Sequence, residues 1–366
     1  MNDFNKRLLH WFKHHKRSLP WRQTNDPYLI WLSEIILQQT RVDQGLPYYL
    51  RFVERFPSVT QLADASRDEV FKLWQGLGYY RRADNLMKTA KQIAGHYNGQ
   101  FPKDFQKLKT LPGVGDYTAA AIASIAFGEK VPVVDGNVYR VISRLFGVKE
   151  VVQTAKTRKI FAAKMLDLMG DSHPGVFNEA VMEFGAIQCT PSSPDCSSCI
   201  FKDSCYAYQN DRIADFPVVK PSVKKKKRFI FYVVFHSDNE IILRSRGGND
   251  LWKGLYDFPS LEYDSKPLLS ELTQDLGEMM ESGLSVHEKT EILPGTLNHT
   301  LTHLQIEAGF ISVYFKNNDL SAFVLPGQKL IKLPCRELKN FPVSKLIDRF
   351  LMKRLLPCLQ KESPEL

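Results

Sequence analysis

The sequence predicts two domains of different class: an all-α domain over residues 1 to 215 and an α+β domain over residues 229 to 366. The length of 366 residues is enough for about two domains of ordinary size. Helical signals fill the first 190 residues, whereas strand signals begin only after residue 215. The stretch 216 to 228 between them is rich in proline and lysine, which is typical of a linker.

The composition excludes several classes of protein. Hydrophobic residues make up 43% of the chain and charged residues 24%, as in soluble globular proteins. No apolar run reaches the roughly 18 residues of a membrane span, so we expect no membrane partner. The first residues lack the apolar stretch and cleavage site of a secretory signal. We therefore expect a cytoplasmic protein, associated with the nucleoid if the source is bacterial.

The positive charge is unevenly distributed. The net charge is +9, of which residues 1 to 220 carry +7 and the run 224 to 228 carries +5, while residues 229 to 366 carry −3. The sequence therefore predicts a polyanionic partner for the first domain and the linker.

Local signals justify the helices of the first domain. Asp26 before Pro27 is typical of a helix start. Ser66, with Glu69 three residues later, predicts another start as a capping box. Apolar residues recur every three or four positions between residues 83 and 97, which predicts a helix with one buried face.

The second domain shows strand signals separated by a helical one. Residues 229 to 235 form a β-branched and aromatic run, residues 241 to 243 are again apolar, and residues 306 to 312 alternate. Residues 267 to 277 favour a helix. This mixture predicts an α+β domain.

A glycine-containing hairpin precedes the small-residue helix that begins near Thr118. In the string LPGVGDYTA, Gly113 and Gly115 flank Val114 and leave the backbone open to a ligand. The following helix presents unpaired N–H groups at its positive end, an arrangement that binds phosphate. The alternative is an ordinary turn between two helices.

Four cysteines lie close together near the end of the first domain. They are Cys189, Cys196, Cys199 and Cys205. Four thiolates suit tetrahedral zinc or an iron-sulfur cluster, and thiolate chemistry alone does not choose between the two. The small number of cysteines elsewhere favours a metal site in a reducing compartment over a disulfide scaffold.

Two carboxylates are candidates for catalysis. Glu34 has mostly apolar neighbours three and four residues away, so burial is expected to raise its pKa and suit it to general acid catalysis. The alternative is a solvated stripe on the helix. Asp135 precedes a helix, where either Asp135 or Asn137 can act as the N-cap, and a capping carboxylate is expected to stay ionised.

Five ordered motifs together resemble the helix-hairpin-helix DNA glycosylases, and most closely the MutY family of adenine DNA glycosylases. They are WLSEIILQQT, LPGVGDYTAAAI, VDGNVYR, FNEAVMEFGA and the cysteine spacing. The resemblance is dense over residues 1 to about 215 and looser beyond. It implies an all-α helix-hairpin-helix domain with an Fe-S cluster loop, followed by a Nudix-like α+β domain.

The resemblance also implies a reaction and a partner. The expected activity is excision of adenine paired with 8-oxoguanine or guanine in double-stranded DNA, by a monomer that carries a [4Fe-4S] cluster on the four cysteines. The adenine is flipped out of the duplex. Glu34 protonates the adenine ring and then helps to activate water, while Asp135 stabilises or attacks the cationic sugar, as in glycoside hydrolysis.

Further roles follow from matching positions. Tyr117 stands where bifunctional enzymes resembling endonuclease III have a nucleophilic lysine, so strand cleavage should be weak or absent. Tyr117 and Asn137 match positions that support the catalytic pocket. The remaining positions match residues in contact with the base or the lesion: Trp21, Arg22 and Glu179 in the adenine pocket, and Gln39 and Tyr79 in a wedge that enters the duplex. Tyr79 as plain core and Glu179 as a solvated helix residue are the alternatives.

The second domain has no REUxEE-type run between residues 229 and 366, so it is interpreted as a reader of the lesion rather than a Nudix hydrolase. Leu301, Thr302 and His303 match a loop that touches 8-oxoguanine, although two of the three residue types differ. The alternative is a strand end without a ligand.

Two other functions stay open. One is a glycosylase for thymine or uracil opposite guanine, because similar hairpins and cysteine spacings serve several bases. The other is a catalytically inert Fe-S protein that binds DNA; the presence of both Glu34 and Asp135 weighs against it.

Overall fold

A computed structural model describes most of the chain. The described residues are 3–152, 154–220, 225–247, 251–281, 289–301, 303–315, 320 and 324–353. Among them, no helix has the length and apolar character needed to cross a membrane.

The chain divides into two compact units. One consists of Met1–Ala65 and Asp84–Pro221, and the other of Ser66–Ala83 and Ser222–Leu366. We call them the helical unit and the sheet unit.

The described part of the first 215 residues contains helices and no strand, as predicted. The helices are α1 Asp3–His15, α2 Pro27–Leu37, α3 Val42–Arg55, α4 Val59–Asp64, α5 Arg67–Trp74, α6 Arg81–His96, α7 Phe105–Leu108, α8 Asp116–Phe127, α9 Gly136–Phe146, α10 Ala155–Met169, α11 Pro174–Glu183 and α12 Tyr206–Gln209. Several start as the sequence indicates: the Asp26 carboxylate accepts the Tyr28 N–H at 2.8 Å, and Ser66 accepts the Glu69 N–H at 3.3 Å. Local signals therefore define these helix starts.

One core cluster of the helical unit is formed mainly by apolar faces of α1, α9, α10 and α11. Leu8, Val141, Phe161 and Phe177 are fully buried there. A smaller cluster includes Ala120, Ala121 and Val133. Because α8 and α9 are largely buried, the positions of both helices are fixed. The helix ends that face the candidate site described below are therefore fixed as well.

The described residues of the sheet unit form an eight-stranded sheet in the order β3-β2-β1-β7-β5, with β4 beside β1, β6 beside β7 and β8 beside β2. The strands are β1 Lys226–His236, β2 Glu240–Ser245, β3 Tyr256–Asp257, β4 Ser260–Tyr263, β5 Lys289–Ile292, β6 Leu297–Thr300, β7 Leu304–Tyr314 and β8 Leu330–Pro334, and the helices are α13 Leu269–Glu281 and α14 Lys345–Lys353. β1 and β7 are parallel, with Lys226 opposite Leu304 and His236 opposite Tyr314. The predicted mixture of strands and helices is confirmed.

Alternate residues of β1 enter two separate cores. Ile230 and Tyr232 join a cluster that includes residues of α14. Val233 and Phe235 join another that includes residues of α13. A strand buried on both faces explains why residues 229 to 235 form a continuous apolar run.

Residues near both ends of the predicted linker, 216 to 228, make defined contacts in the structure. Phe216 is buried in the core of the helical unit, and its carbonyl accepts a hydrogen bond from Arg144 Nε at 3.2 Å. At the other end, β1 already begins at Lys226, because the backbone from Lys226 onward pairs with β7. The domain boundaries at residues 215 and 229 stay predictions. Lys224, in the predicted linker, lies outside the described residues.

Ser66–Ala83 was assigned to the first domain by sequence but groups with the sheet unit. The segment makes specific contacts there: Gln75 Nε2 donates to Asp348 Oδ1 at 2.8 Å, and Tyr80 Oη donates to the Val343 carbonyl at 3.2 Å. No local sequence signal predicts contacts between residues that lie so far apart in the sequence.

Candidate active site

Two adjoining cavities lie in the helical unit, with volumes of about 970 and about 200 Å³. Glu34, Leu37, Tyr117 and Asp135 line both cavities. The structure thus brings together the two carboxylates that the sequence singled out, although they are 101 positions apart along the chain.

Glu34 lies on α2 and is only 9% exposed, so the interpretation of a solvated helix stripe is wrong. Burial is the main cause that raises the pKa of its carboxyl from 4.5 to about 7. A hydrogen bond with Tyr117 opposes this shift, and the nearby Asp135 carboxylate adds to it. A carboxyl with this pKa holds a proton for part of the time at neutral pH, as a general acid requires.

Asp135 is the N-cap of α9. Its Oδ1 accepts the Val138 N–H at 2.8 Å, and its Oδ2 accepts the Asn137 side-chain amide at 2.7 Å. Burial raises the pKa of Asp135, while these two hydrogen bonds and the charge of Arg140 lower it. The capping role and proximity to Glu34 therefore coexist, and Asp135 rather than Asn137 is the cap.

Tyr117 and Asn137 support the two carboxylates. Tyr117 interacts with Glu34, and its hydroxyl oxygen lies 3.8 Å from the Met182 sulfur. Asn137 accepts a hydrogen bond from Arg140 Nη2 at 2.8 Å while it donates to Asp135. Both side chains are therefore oriented toward the pair of carboxylates.

Trp21, Arg22 and Glu179 line the smaller cavity together with Glu34. Arg22 Nε lies 3.7 Å from Glu179 Oε1, and the Glu179 side chain is 15% exposed. The interpretation of Glu179 as a solvated helix residue is therefore wrong. Burial raises its pKa, and Arg22 opposes that shift.

Glu183 is a member of this site that the sequence interpretation missed. Its fully buried carboxylate accepts from Arg17 Nη2 at 2.6 Å and from Arg22 Nη2 at 2.8 Å. Hydrogen bonds from both arginines outweigh burial and lower the pKa of Glu183 to about 2. The sequence signal that could have identified Glu183 is its position four residues after Glu179 on α11, because residues four apart share one helix face.

Gln39 and Tyr79 both have positive φ, at 56° and 50°. Gln39 lines the larger cavity of the helical unit. Tyr79 belongs to the sheet unit and its side chain is 50% exposed, so its interpretation as plain core is wrong. Positive φ is rare for bulky residues and concentrates at functional positions.

The predicted hairpin connects α7 and α8. Gly113 has φ of +74°, and a Cβ atom there would lie 2.7 Å from Asn85 Cβ, so glycine is required at this position. Val114 is buried, and its N–H donates to the Leu111 carbonyl at 3.1 Å. Gly115 is the N-cap of α8 without a side-chain cap, and nothing lies within 4 Å of a Cβ placed on it. Both features fit the predicted anion site at a helix start.

The loop of residues 301 to 303 connects β6 and β7. The Leu301 N–H donates to the Leu304 carbonyl at 2.8 Å, and the His303 carbonyl accepts from the Lys226 N–H at 3.1 Å. Thr302 lies outside the described residues. The structure therefore positions two of the three predicted lesion contacts at a strand turn of the sheet unit.

The four cysteines line one cavity together with Arg144. Arg144 Nη1 donates to Cys189 Sγ at 3.5 Å. Burial raises the pKa of the Cys199 thiol to about 11, and also raises the pKa of Cys196 and Cys205. The four thiols are soft donors around one cavity, and they are neutral unless a cation stabilises their thiolate form. Such donors fit a metal cofactor. Among the described residues, no group of three or more His, Cys, Asp or Glu side chains is arranged to hold a single metal ion.

Comparisons with known proteins show the family of this chain. An adenine DNA glycosylase from Buchnera aphidicola (subspecies Baizongia pistaciae) is 31% identical over 360 residues, which cover 94% of this chain and 96% of that protein. The chain belongs to the adenine DNA glycosylase family. An adenine DNA glycosylase from Rattus norvegicus is 41% identical, over 93% of this chain and 76% of that protein. The identification from sequence motifs is confirmed, and so is the prediction of an enzyme that acts on N-glycosyl bonds.

Family models and solved structures support both parts of the adenine DNA glycosylase fold. The model of the HhH-GPD superfamily of base excision DNA repair proteins matches residues 32–165, and that of the NUDIX domain matches residues 230–353. A thermostable thymine-DNA glycosylase is 31% identical with a TM-score of 0.53, over 57% of this chain and 95% of that chain. A non-covalent endonuclease III–DNA complex, at 22% identity and a TM-score of 0.50, shares the fold. The predicted helix-hairpin-helix and Nudix-like classes are confirmed.

Proposed function

We propose that this chain removes adenine paired with 8-oxoguanine or guanine in double-stranded DNA, by hydrolysis of the bond between the base and deoxyribose. The observation that carries the proposal is the pair of buried carboxyls, Glu34 and Asp135, in the wall shared by two adjoining cavities. The relatives named adenine DNA glycosylase support adenine as the base.

The adenine must leave the base stack before these carboxyls can reach it, at a cost of a few kcal/mol. We assign the extruded adenine to the smaller cavity, where Trp21, Arg22 and Glu179 supply an aromatic ring and charged hydrogen-bonding groups. The N–H groups at the start of α8 bind a backbone phosphate. Gln39 and Tyr79 enter the duplex beside the mispair, where an exposed aromatic ring can stack on a base.

Hydrolysis then divides between the two carboxyls. Glu34 donates its proton to a ring nitrogen of adenine while the bond from deoxyribose C1′ to the base breaks and its electron pair leaves with the base. The positive charge that develops at C1′ is stabilised by the Asp135 carboxylate. Water adds to C1′, the Glu34 carboxylate takes up its proton, and the products are adenine and an abasic site.

No lysine takes part in this scheme, because Tyr117 occupies the hairpin position where bifunctional enzymes resembling endonuclease III have a nucleophilic lysine. Without an amine there, no Schiff base forms with the sugar and the strand stays intact. Borohydride should therefore trap no covalent adduct of the protein with DNA; a trapped adduct would place lyase chemistry on another amine.

We assign a [4Fe-4S] cluster to Cys189, Cys196, Cys199 and Cys205. The cavity that they share and the contact from Arg144 to Cys189 support the assignment. Such a cluster supplies cross-links between four points of the loop that follows α11. A brown protein with about four irons per chain is expected; a colourless protein with one zinc per chain would overturn the assignment.

We assign recognition of 8-oxoguanine to the sheet unit, through Leu301, Thr302 and His303, with one chain acting as a monomer. The turn between β6 and β7, which presents Leu301 and His303, supports this role. The lack of an REUxEE run in the sequence after residue 229 favours recognition over Nudix hydrolysis.

The test is base release from matched duplexes that contain A opposite 8-oxoguanine, A opposite G, A opposite C, and T opposite G. Release of free adenine from the first two, with an alkali-labile site left behind, is expected. Glu34→Gln should abolish release and leave duplex binding nearly unchanged; unchanged turnover would remove Glu34 from the acid role.

A second candidate is removal of thymine or uracil opposite guanine. The similarity to a thermostable thymine-DNA glycosylase supports this candidate. Release of thymine from the T-opposite-G duplex, with none of adenine, would replace the proposed function by this one.

A further inference from the structure

The segment Ser66–Ala83 carries an exposed aromatic ring on a strained backbone. Tyr79 is half exposed with φ of +50°, and Gly76 and Gly78 before it also have positive φ. A bulky residue keeps such a conformation only where its surroundings impose it. These surroundings belong to the sheet unit, because the segment groups with residues 222 to 366.

The next residue, Tyr80, holds the segment on one side. Its side chain is 6% exposed, and its hydroxyl donates to the Val343 carbonyl at 3.2 Å. Its ring lies against Phe71 of α5, with centroids 5.6 Å apart. Val343 directly precedes the cap of α14, so the hydroxyl ties the backbone beside Tyr79 to the start of that helix.

Arg67 holds the segment at its other end. Its Nη1 donates to the Gly254 carbonyl at 3.2 Å, and a Cβ atom on Gly254 would lie 1.8 Å from Arg67 Nη2. Gly254 has φ of +81°, so both the backbone and the close approach of the guanidinium require glycine.

The turn that receives Arg67 is itself rigidly held. The buried Arg246 donates from Nη1 to the Leu251 carbonyl at 2.8 Å and accepts the Gly254 N–H on its own carbonyl at 2.7 Å. Arg246 Nε also donates to the buried Asp257 carboxylate at 2.6 Å. A charge-assisted network of this kind fixes the position of Gly254.

We propose that Tyr80 and Arg67 are positioning residues for Tyr79: through Val343 and Gly254, the C-terminal part of the sheet unit holds the exposed ring in its binding conformation. The proposal rests on the proposed function in one respect, that Tyr79 stacks in a duplex with adenine opposite 8-oxoguanine. It makes recognition by Tyr79 depend on residues more than 170 positions away in the sequence.

The test measures the Kd for a duplex in which a 2′-fluoro adenosine analogue, which resists hydrolysis, stands opposite 8-oxoguanine. Tyr80→Phe removes one hydroxyl and should weaken binding about fivefold, the effect of one lost hydrogen bond between neutral groups. Arg67→Met, which removes the guanidinium but keeps an unbranched apolar stem, should weaken binding at least as much. Tyr263→Phe is the matched control, because it removes a hydroxyl that donates to Asp275 at 2.6 Å elsewhere in the sheet unit.

A double-mutant cycle separates positioning from general destabilisation. If Tyr80 acts through Tyr79, Tyr80→Phe has no further effect in a Tyr79→Ala background. Equal weakening in both backgrounds, or the same loss in Tyr263→Phe, would overturn the proposal, as would a wild-type protein that does not bind this duplex. Thermal unfolding of each variant checks that it is folded.

Adenine release by the wild-type protein is measured separately on the hydrolysable duplex. Absence of release would reject the proposed function, whereas the binding cycle would still decide whether Tyr80 positions Tyr79. The two assays therefore distinguish failure of the proposed function from failure of the positioning role of Tyr80.

Discussion

The two carboxyls of the site differ in what surrounds them. Glu34 is buried with little compensation beyond Tyr117 and the charge of Arg22, so its pKa rises to about 7. Burial raises the pKa of Asp135 too, but there the Val138 N–H, the Asn137 amide and Arg140 oppose the shift by stabilising the ionised form. Different environments for two carboxyls are how one site supplies both an acid and an anion.

This difference predicts a pH dependence of adenine release. The acid form of Glu34 is lost as the pH rises through about 7, so the single-turnover rate constant should fall about tenfold per pH unit above that point. Protonation of Asp135 should produce a second decline at low pH. A rate constant that stays flat from pH 6 to pH 9 would exclude Glu34 as the acid.

The raised pKa of Glu34 also predicts an effect on stability. The folded protein holds this proton more tightly than the unfolded chain, so the contribution to stability is full below pH 4.5 and is lost as the pH rises through about 7. Glu34→Gln removes the buried charge and should increase the free energy of unfolding at pH 8 by about 1 to 3 kcal/mol. Urea unfolding at pH 8 and pH 5 checks this: a gain of equal size at both pH values would contradict the explanation.

At the scale of elements, α9 connects the site to the cysteine loop. Asp135 and Asn137 lie at its start, and Arg140 donates from Nη2 to Asn137 at 2.8 Å and from Nε to the Cys189 carbonyl at 2.7 Å. Arg144, one turn later, donates to the carbonyls of Thr190 and Pro191 at 2.7 and 2.9 Å. One helix therefore fixes both the capping carboxylate and the first cysteine.

Arg144→Lys tests this role of α9. Lysine keeps the charge but lacks the planar fork that reaches two carbonyls and the Cys189 sulfur. We expect fewer irons per chain and a lower thermal midpoint, measured by iron assay and calorimetry. Arg158→Lys is the control, because Arg158 is half exposed and pairs with Asp116; equal iron loss in both variants would contradict a specific role of Arg144.

Elements could be predicted wherever their signals are local. Asp26 and Pro27 mark the start of α2, and the apolar run of residues 229 to 235 marks most of β1. Long-range partners carry no such signal. The parallel pairing of β1 with β7, the arginines that hold Glu183 and the contact of Arg67 with Gly254 each join positions far apart in the sequence. Those contacts follow from packing, which no short window of sequence contains.

At the scale of the whole molecule, charge and specificity are separated along the chain. Residues 1 to 220 carry +7, whereas residues 229 to 366 carry −3. Attraction to phosphate depends on net charge and carries no sequence information, whereas base recognition needs placed contacts. Residues 229 to 366 are therefore suited to specific contacts such as the one predicted for His303, and residues 1 to 220 to general affinity for the duplex.

This separation predicts how salt affects DNA binding. Lys159 is exposed and lines the larger cavity of the helical unit, so Lys159→Gln should reduce the slope of log K against log salt by about 0.9, the value for one phosphate contact. Lys289 is exposed in the sheet unit beside Glu291, and Lys289→Gln should leave the slope unchanged. Titrations of an undamaged duplex at several salt concentrations measure both variants. Equal reductions would mean that residues 1 to 220 and residues 229 to 366 share phosphate binding despite the opposite net charge of these two ranges. A slope depends on the number of phosphates contacted and not on the net charge of the range that contacts them.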